Sequence, residues 1–375
     1  MYTNALSMNT KPIDTLPYPR CRAARFVLRG AARLLIALLT RLKVRGMENF
    51  PRSGPVILAG NHVGVMEAVL MAALSPRQVE FLGTGDIPFD PNYARIVKAY
   101  GLIPINRGNL DRDAIQKSVD LLRQGGVLGI FPEGGIWDPA RMEAQLGVAL
   151  ISQRANAPVL PIGFGGMRGA LVNALKLKRP RLEMRVGELI PPALIPQGAD
   201  RRQALQEYAS TVLNRITALI PEFKKNNLPE DIEYTLSLEP SSPAPGDFPR
   251  LEPERGQAFA HLLFSPVLLD ALHRNLKLPV GAWINPPDTV SNTEFITALE
   301  AVLKYLEHNP GFFTYRFGVS EGLALGRALA DLRGILSSAG EAELTLRMVA
   351  VSRARYAGGR VEEKSFSFVI APSSD

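Results

Sequence analysis

The chain has 375 residues, of which 46% are hydrophobic and 21% charged, with a formal net charge of +7 and a single cysteine. Its length favours two domains, and its composition supplies a sizeable core, which excludes a chain disordered throughout. The lone Cys21 excludes an internal disulfide framework and any cysteine-based metal site, and it suits a reducing compartment.

Residues 1–15 are polar and lack the apolar core of a secretory signal, and residues 1–19 read as a flexible tail. Arg20, Arg22, Arg25, Arg29, Arg33, Arg41, Lys43 and Arg45 then follow with no acid among them. Such a patch suits nucleic acid, anionic lipid or an acidic carrier. Nucleic acid is not expected, because zinc-finger spacing, an aromatic RNP-like strand and a heptad dimer are all missing. The stretch from Cys21 to Leu42 predicts an amphipathic helix. Arg22, Arg25, Arg29 and Arg33 fall on one face, and Val27, Leu34, Leu38 and Leu42 on the other. Its uncharged run, Leu34 to Thr40, is far short of the about 20 residues a bilayer span needs. Two arrangements fit: a helix lying in a membrane surface, or one packed on the protein's own core with its arginines in water.

From Gly54 to about Leu189, short apolar runs alternate with longer helical ones. Strands are expected at Val56–Ala59, Val79–Gly83, Gly101–Asn106, Val127–Phe131, Pro158–Gly163 and Leu182–Val186. Helices are expected at Val65–Ala73, Tyr93–Ala99, Arg112–Arg123, Ala144–Arg154 and Arg201–Ile220. This alternation predicts an α/β domain over residues 20–228, a mixed sheet flanked by helices. The helix from Arg112 is the best marked, with Asp111 or Asn109 as N-cap and Gly125-Gly126 as its stop.

Residues 229–256 are rich in proline and read as a partly extended linker. Residues 257–375 then have the size of a smaller α+β domain. Helical patterns cover Gln257–Leu278, Asn292–Glu307 and Glu321–Ser338, and strand-like runs cover Glu343–Val351 and Val361–Ile370. Phe312, Phe313, Tyr315 and Phe317 fit core and strand packing better than a ligand box.

His62 follows the first apolar run, and Glu67 comes five positions later. The chain has no GxSxG nucleophile elbow and no HExxH, and His261, His273 and His308 lack ligand spacing, so neither a serine hydrolase nor a metal site is expected. His62 is left as an imidazole able to take a proton at neutral pH, or as a structural histidine at a strand-to-helix corner. Glu67 could fix its tautomer if the chain turns into a helix after it. Further along, "GLIPINRG" puts Arg107 past an apolar strand, where a guanidinium can grip a phosphate. "GVLGIFPEGGIW" puts Glu133, Gly134 and Gly135 past another, where backbone N–H groups can approach an anion. Ligands of open α/β sheets gather at the carboxyl ends of strands, so these residues could share one crevice.

Together, "NHVGVME", "GLIPINRG", "FPEGGIW" and "APVLPIGF" resemble the four ordered blocks of the glycerolipid acyltransferase family, which includes bacterial 1-acyl-glycerol-3-phosphate acyltransferases. The resemblance spans roughly residues 30–225. It implies that His62 deprotonates an acceptor hydroxyl, which attacks an acyl thioester, with Glu67 orienting the imidazole. It implies that Asn61, Arg107, Glu133, Gly134 and Gly135 bind substrate, the acceptor being a lysophospholipid. No cofactor is implied, since acyl-coenzyme A or acyl carrier protein serves as co-substrate. It also implies a peripheral or monotopic protein at the cytoplasmic face of an anionic membrane, docked through the N-terminal helix.

Two departures from the family blocks stand out. Glu67 replaces the aspartate of the histidine block, and Gly135 and Ile136 replace a threonine and an arginine of the third. They bring into view acceptors other than lysophosphatidic acid. They also bring into view a non-catalytic lipid- or acyl-carrier-binding protein of the same fold.

Overall fold

The computed structural model describes residues 16–84, 94–105, 111–132, 145–221, 229–241, 249–356 and 358–372. Seven strands form one sheet: β1 (Arg41–Arg45), β2 (Val56–Gly60), β3 (Val79–Thr84), β4 (Ile103–Ile105), β5 (Val127–Ile130), β6 (Val159–Gly165) and β7 (Arg181–Val186). Their spatial order is β1-β7-β6-β2-β5-β3-β4. Every neighbouring pair is parallel except β6–β7, so the sheet is mixed, as the alternation predicts. Strand β2 is central and wholly buried. Its residues read as an unbroken apolar run because helices cover both sheet faces.

The covering helices are α1 (Arg22–Leu39), α2 (Met66–Leu74), α3 (Ala94–Tyr100), α4 (Arg112–Arg123), α5 (Gly147–Ala155), α6 (Ala170–Leu175) and α7 (Arg201–Leu219). Ile36 of α1, Leu70 and Met71 of α2 and Ala170 of α6 pack on Val56 and Leu58. Val119 of α4, Ile151 of α5 and Val212 of α7 pack on Ile57 and Ala59, the alternate residues of the same strand. Each fully buried aliphatic side chain contributes about 1.5–3 kcal/mol, so β2 knits both layers. The Asp111 cap of α4 forms as expected, its carboxylate accepting the Ala114 N–H at 3.0 Å.

Helix α1 is turned the other way from the arrangement with solvated arginines. Arg25 is 1% exposed and pairs with the fully buried Glu80, Nη2 to Oε2 at 2.6 Å, while its Nε donates to the Tyr100 carbonyl at 2.7 Å. Arg20 joins the pair, Nε to Glu80 Oε2 at 2.9 Å. Arg29 donates to the Ser75 carbonyl, and Arg33 Nε to the Ala73 carbonyl at 2.6 Å. Those carbonyls close the C-terminal end of α2, where backbone acceptors lack helical partners and cations are favoured. Phe26, Val27, Leu34 and Leu38 point away, at 80%, 66%, 61% and 59% exposure. No helix among the described residues is long and apolar enough to cross a membrane.

The expected extension of this helix to Leu42 is also corrected. Thr40 leaves helical geometry, its hydroxyl donating back to the Ile36 carbonyl at 2.7 Å, and Arg41 opens the edge strand β1.

The expected linker is in part a strand, β8 (Pro229–Pro240), paired antiparallel with β10 (Leu346–Tyr356). Ile232, Tyr234, Leu236 and Leu238 alternate with exposed Glu233, Thr235, Ser237 and Glu239, the period of a half-buried strand. The prolines sit at its two ends and it is an edge strand, the positions where a missing N–H breaks no ladder. With β11 (Val361–Ala371) and β9 (Thr289–Ser291) it completes a four-stranded sheet of order β8-β10-β11-β9. Helices α8 (Pro253–Leu263), α9 (Pro266–Asp270), α10 (Gly281–Ile284), α11 (Asn292–His308), α12 (Gly311–Phe317) and α13 (Val319–Glu341) accompany it. The single helix expected over Gln257–Leu278 is broken, because Pro266 cannot donate to the preceding turn. Phe312, Phe313 and Phe317 lie in the core with Phe259, Trp283 and Phe295, but on a helix and not a strand.

Candidate active site

Strand β2 ends at Gly60, where the backbone passes so close to Met71 and Phe164 that an added Cβ would lie 2.7 and 2.8 Å from their side chains. Asn61 follows, 3% exposed, and uses both ends of its amide on one residue of β6. Oδ1 accepts the Phe164 N–H at 2.7 Å, and Nδ2 donates to the Phe164 carbonyl at 3.2 Å. The side chain thus extends the β2–β6 ladder by one rung. A buried amide engaged with backbone on both sides fixes the loop that carries His62; substrate binding is what the family resemblance implies for Asn61.

His62 projects from the carboxyl edge of the sheet. Its ring lies flat on Phe131, centroids 3.9 Å apart and planes 10° from parallel. Phe131 is the first residue after β5, the parallel neighbour of β2, so two adjacent strands deliver the stacked rings. A face-to-face contact of this kind holds the imidazole plane and covers one face of it from water. The His62 side chain is 15% exposed, which leaves a narrow approach.

Glu67 lies in the first turn of α2 and is fully buried. Its Oε1 accepts the Val63 N–H at 2.9 Å. Its Oε2 stands 3.8 Å from His62 Nδ1, within ion-pair range and beyond a hydrogen bond. Among the described residues Oε2 accepts no hydrogen bond. At 3.8 Å the charge of the carboxylate would stabilise a protonated His62. With Nδ1 turned to the acid, Nε2 is the ring atom that would exchange a proton with a substrate.

Arg107, Glu133, Gly134 and Gly135 lie outside the described residues. The strands that precede them, β4 and β5, run parallel to β2 through the sheet and end on its carboxyl edge, as β2 does. The stacking of Phe131 on His62 is not legible in the sequence, although Phe131 opens the third block. Nothing in the spacing joins two residues that far apart. The partner of Asn61, Phe164, is hidden for the same reason.

A family model described as Acyltransferase matches residues 41–165. The chain is 23% identical over 138 residues to the 1-acyl-sn-glycerol-3-phosphate acyltransferase of Bacillus subtilis (strain 168), a stretch covering 36% of this chain and 69% of that protein. It is 28% identical over 96 residues to the enzyme of the same name from Borreliella burgdorferi, covering 25% of this chain and only 38% of that one. The crystal structure of the 1-acyl-sn-glycerophosphate (LPA) acyltransferase PlsC from Thermotoga maritima superimposes with a TM-score of 0.38 at 20% identity, covering 54% of this chain and 84% of that one.

Proposed function

From the premise that residues 41–165 form a domain of the acyltransferase family, we propose that the chain moves a fatty acyl group from acyl-coenzyme A or acyl carrier protein to the hydroxyl of a lysophospholipid. An acceptor such as 1-acyl-glycerol-3-phosphate would suit it. The observation that carries this reading is His62 at the sheet's carboxyl edge, stacked on Phe131 with the Glu67 carboxylate toward Nδ1.

In this reading Nε2 of His62 takes the hydroxyl proton as the acceptor oxygen attacks the thioester carbonyl. The C–O bond forms, the C–S bond breaks, and the leaving thiolate takes the proton back from the imidazolium. Glu67 stabilises that imidazolium through its charge. Arg107, Glu133, Gly134 and Gly135 are assigned to the acceptor head group, with Gly135 and Ile136 supplying neither the hydroxyl nor the cation of the family block. The cytoplasmic face of a membrane belongs to this reading, and helix α1 supports its membrane part: Phe26, Val27, Leu34 and Leu38 are exposed, while Arg25 and Arg33 are tied to Glu80 and the Ala73 carbonyl.

One observation favours a second reading, a lipid- or carrier-binding protein without turnover: the 3.8 Å between His62 and Glu67 is too long for the hydrogen bond of a working dyad. Thioester consumption by the purified full chain separates the two. It is measured with both donors across a panel of lysolipids, beside His62→Ala. Turnover lost in the variant supports the transferase; no turnover with any pair, or full turnover in His62→Ala, refutes it.

A further inference from the structure

The stretch from Arg168 to Arg181 takes no part in the chemistry above, yet its shape is unusual. Helix α6 ends in a double turn, Leu177 N–H to the Ala174 carbonyl at 2.9 Å and Lys178 N–H to the Asn173 carbonyl at 2.9 Å. That pattern puts residue 177 in the left-handed region, at φ 57, a position that ordinarily falls to glycine. A leucine stands there instead, 73% exposed, and so gains nothing from burial in its own protein. Leu175 and Val172 beside it are 65% and 53% exposed. Arg179 is also left-handed, at φ 45. Lys176, Lys178 and Arg179 are all exposed, and no acid lies between Arg168 and Leu182. A strained backbone that displays leucines between cations to solvent is not explained by folding.

The position of this knuckle is equally specific. Met167 and Ala170 pack in the same core layer as Ile36 of α1, so the knuckle and α1 share one face of the sheet. The Arg41 N–H, just beyond α1, donates to the Pro180 carbonyl at 2.9 Å, joining the two elements directly. On the other side, a Cβ at Gly64 would lie 3.4 Å from the Met167 carbonyl, so the loop after His62 touches the start of the segment.

We propose that residues 172–179 are a second contact with the anionic lipid surface on which α1 lies. Leu175 and Leu177 enter below the head groups, and Lys176, Lys178 and Arg179 meet their phosphates. This rests on the membrane reading of α1, not on acyl transfer. Charge chooses the occupant: a second copy would set this basic patch against another of the same sign, whereas lipid phosphate neutralises it. Attachment at two points has a consequence for the site. A single helix in an interface is free to roll about its axis, and a second contact stops the roll and fixes how the His62 loop meets the surface.

Sedimentation of the full chain with phosphatidylcholine vesicles, with and without phosphatidylglycerol, tests this. Leu175→Ser/Leu177→Gly suits the left-handed backbone, so thermal unfolding should occur at the native temperature or above it. Its partition onto phosphatidylglycerol vesicles should fall about tenfold or more. Lys176→Glu/Lys178→Glu should weaken binding to the anionic vesicles and leave the neutral ones unchanged. Native partition in both variants overturns the proposal, while loss in a Leu34→Ser/Leu38→Ser control shows that the α1 reading survives. A native protein that ignores all vesicles overturns both. A changed oligomeric state with unchanged partition assigns the knuckle to self-association and overturns the lipid contact.

Discussion

Glu67 divides its carboxylate between the backbone and His62: Oε1 takes the Val63 N–H at 2.9 Å, and Oε2 stops 3.8 Å from Nδ1. The first contact shapes the loop that carries the imidazole. The second supplies charge to it at a distance where Coulomb attraction persists and a hydrogen bond does not.

Glu67→Gln isolates the charge. The amide oxygen can still accept the Val63 N–H, so the fold should persist. The imidazolium loses its counter-charge, and kcat should fall by roughly a hundredfold or more with KM little changed. Glu67→Asp keeps the charge and should stay within about tenfold of native kcat. Steady-state kinetics on both variants check the pair. Equal losses would show that shape, not charge, is what Glu67 supplies.

Asn61→Ala should act on stability and activity together. It strands a buried N–H and a buried carbonyl of Phe164, at about 1–3 kcal/mol of stability for each group. Urea unfolding measures the loss. Turnover measured far below the new midpoint should also drop, because the residue after Asn61 is the proposed base. Native turnover there would show that the rung does not position His62.

Arg25→Met tests the anchor of α1. It leaves the buried Glu80 carboxylate with Arg20 as its remaining cation, and should cost about 3 kcal/mol in urea unfolding. Arg25→Met/Glu80→Leu removes both buried charges and should recover much of that loss. A double variant no better than the single would mean that packing, not charge, fixes the helix.

Tyr100 gives the fold an alkaline limit. Its phenol donates to the Val79 carbonyl at 2.7 Å, and burial pushes its pKa up to about 12 from 10.0. In the unfolded chain it ionises near 10, so above that pH the unfolded state holds fewer protons and stability falls. The contribution is complete below pH 10 and is lost progressively up to about pH 12, at about 1.4 kcal/mol per pH unit. Tyr100→Phe should make the urea midpoint fall less steeply over that window. Parallel slopes would rule the phenol out.

Much of this arrangement is legible before any coordinates. Helix α4 announces itself through Asp111 and Gly125, because caps and stops are local chemistry. The strands of the central sheet are continuous apolar runs, and burial on both faces requires that. The orientation of α1 is a different matter: its arginines and leucines segregate cleanly, but segregation does not say which side faces the protein. That is decided by Glu80 and the carbonyls of Ala73 and Ser75, distant acceptors that no helical period reveals. Strand β8 is hidden by its prolines, which read as linker until β10 supplies a ladder for the residues between them. At the site, His62 and Glu67 are close in sequence, so their pairing is legible there. Phe131 and Phe164 reach His62 and Asn61 only through strand order.

The register that pairs Arg41 with Arg181 orders events on the ribosome. Strand β1 is the first of its sheet to be synthesised, and it has no ladder until β7, the last, has emerged. Helix α1 comes earlier still, ahead of the Ser75 and Glu80 acceptors that will take up its arginines. For that interval the nascent chain exposes a cationic face and an apolar face with neither occupied, the form in which such a helix is most strongly drawn to a negatively charged bilayer. On the membrane reading proposed above, the helix is therefore free to meet the bilayer before the sheet behind it closes.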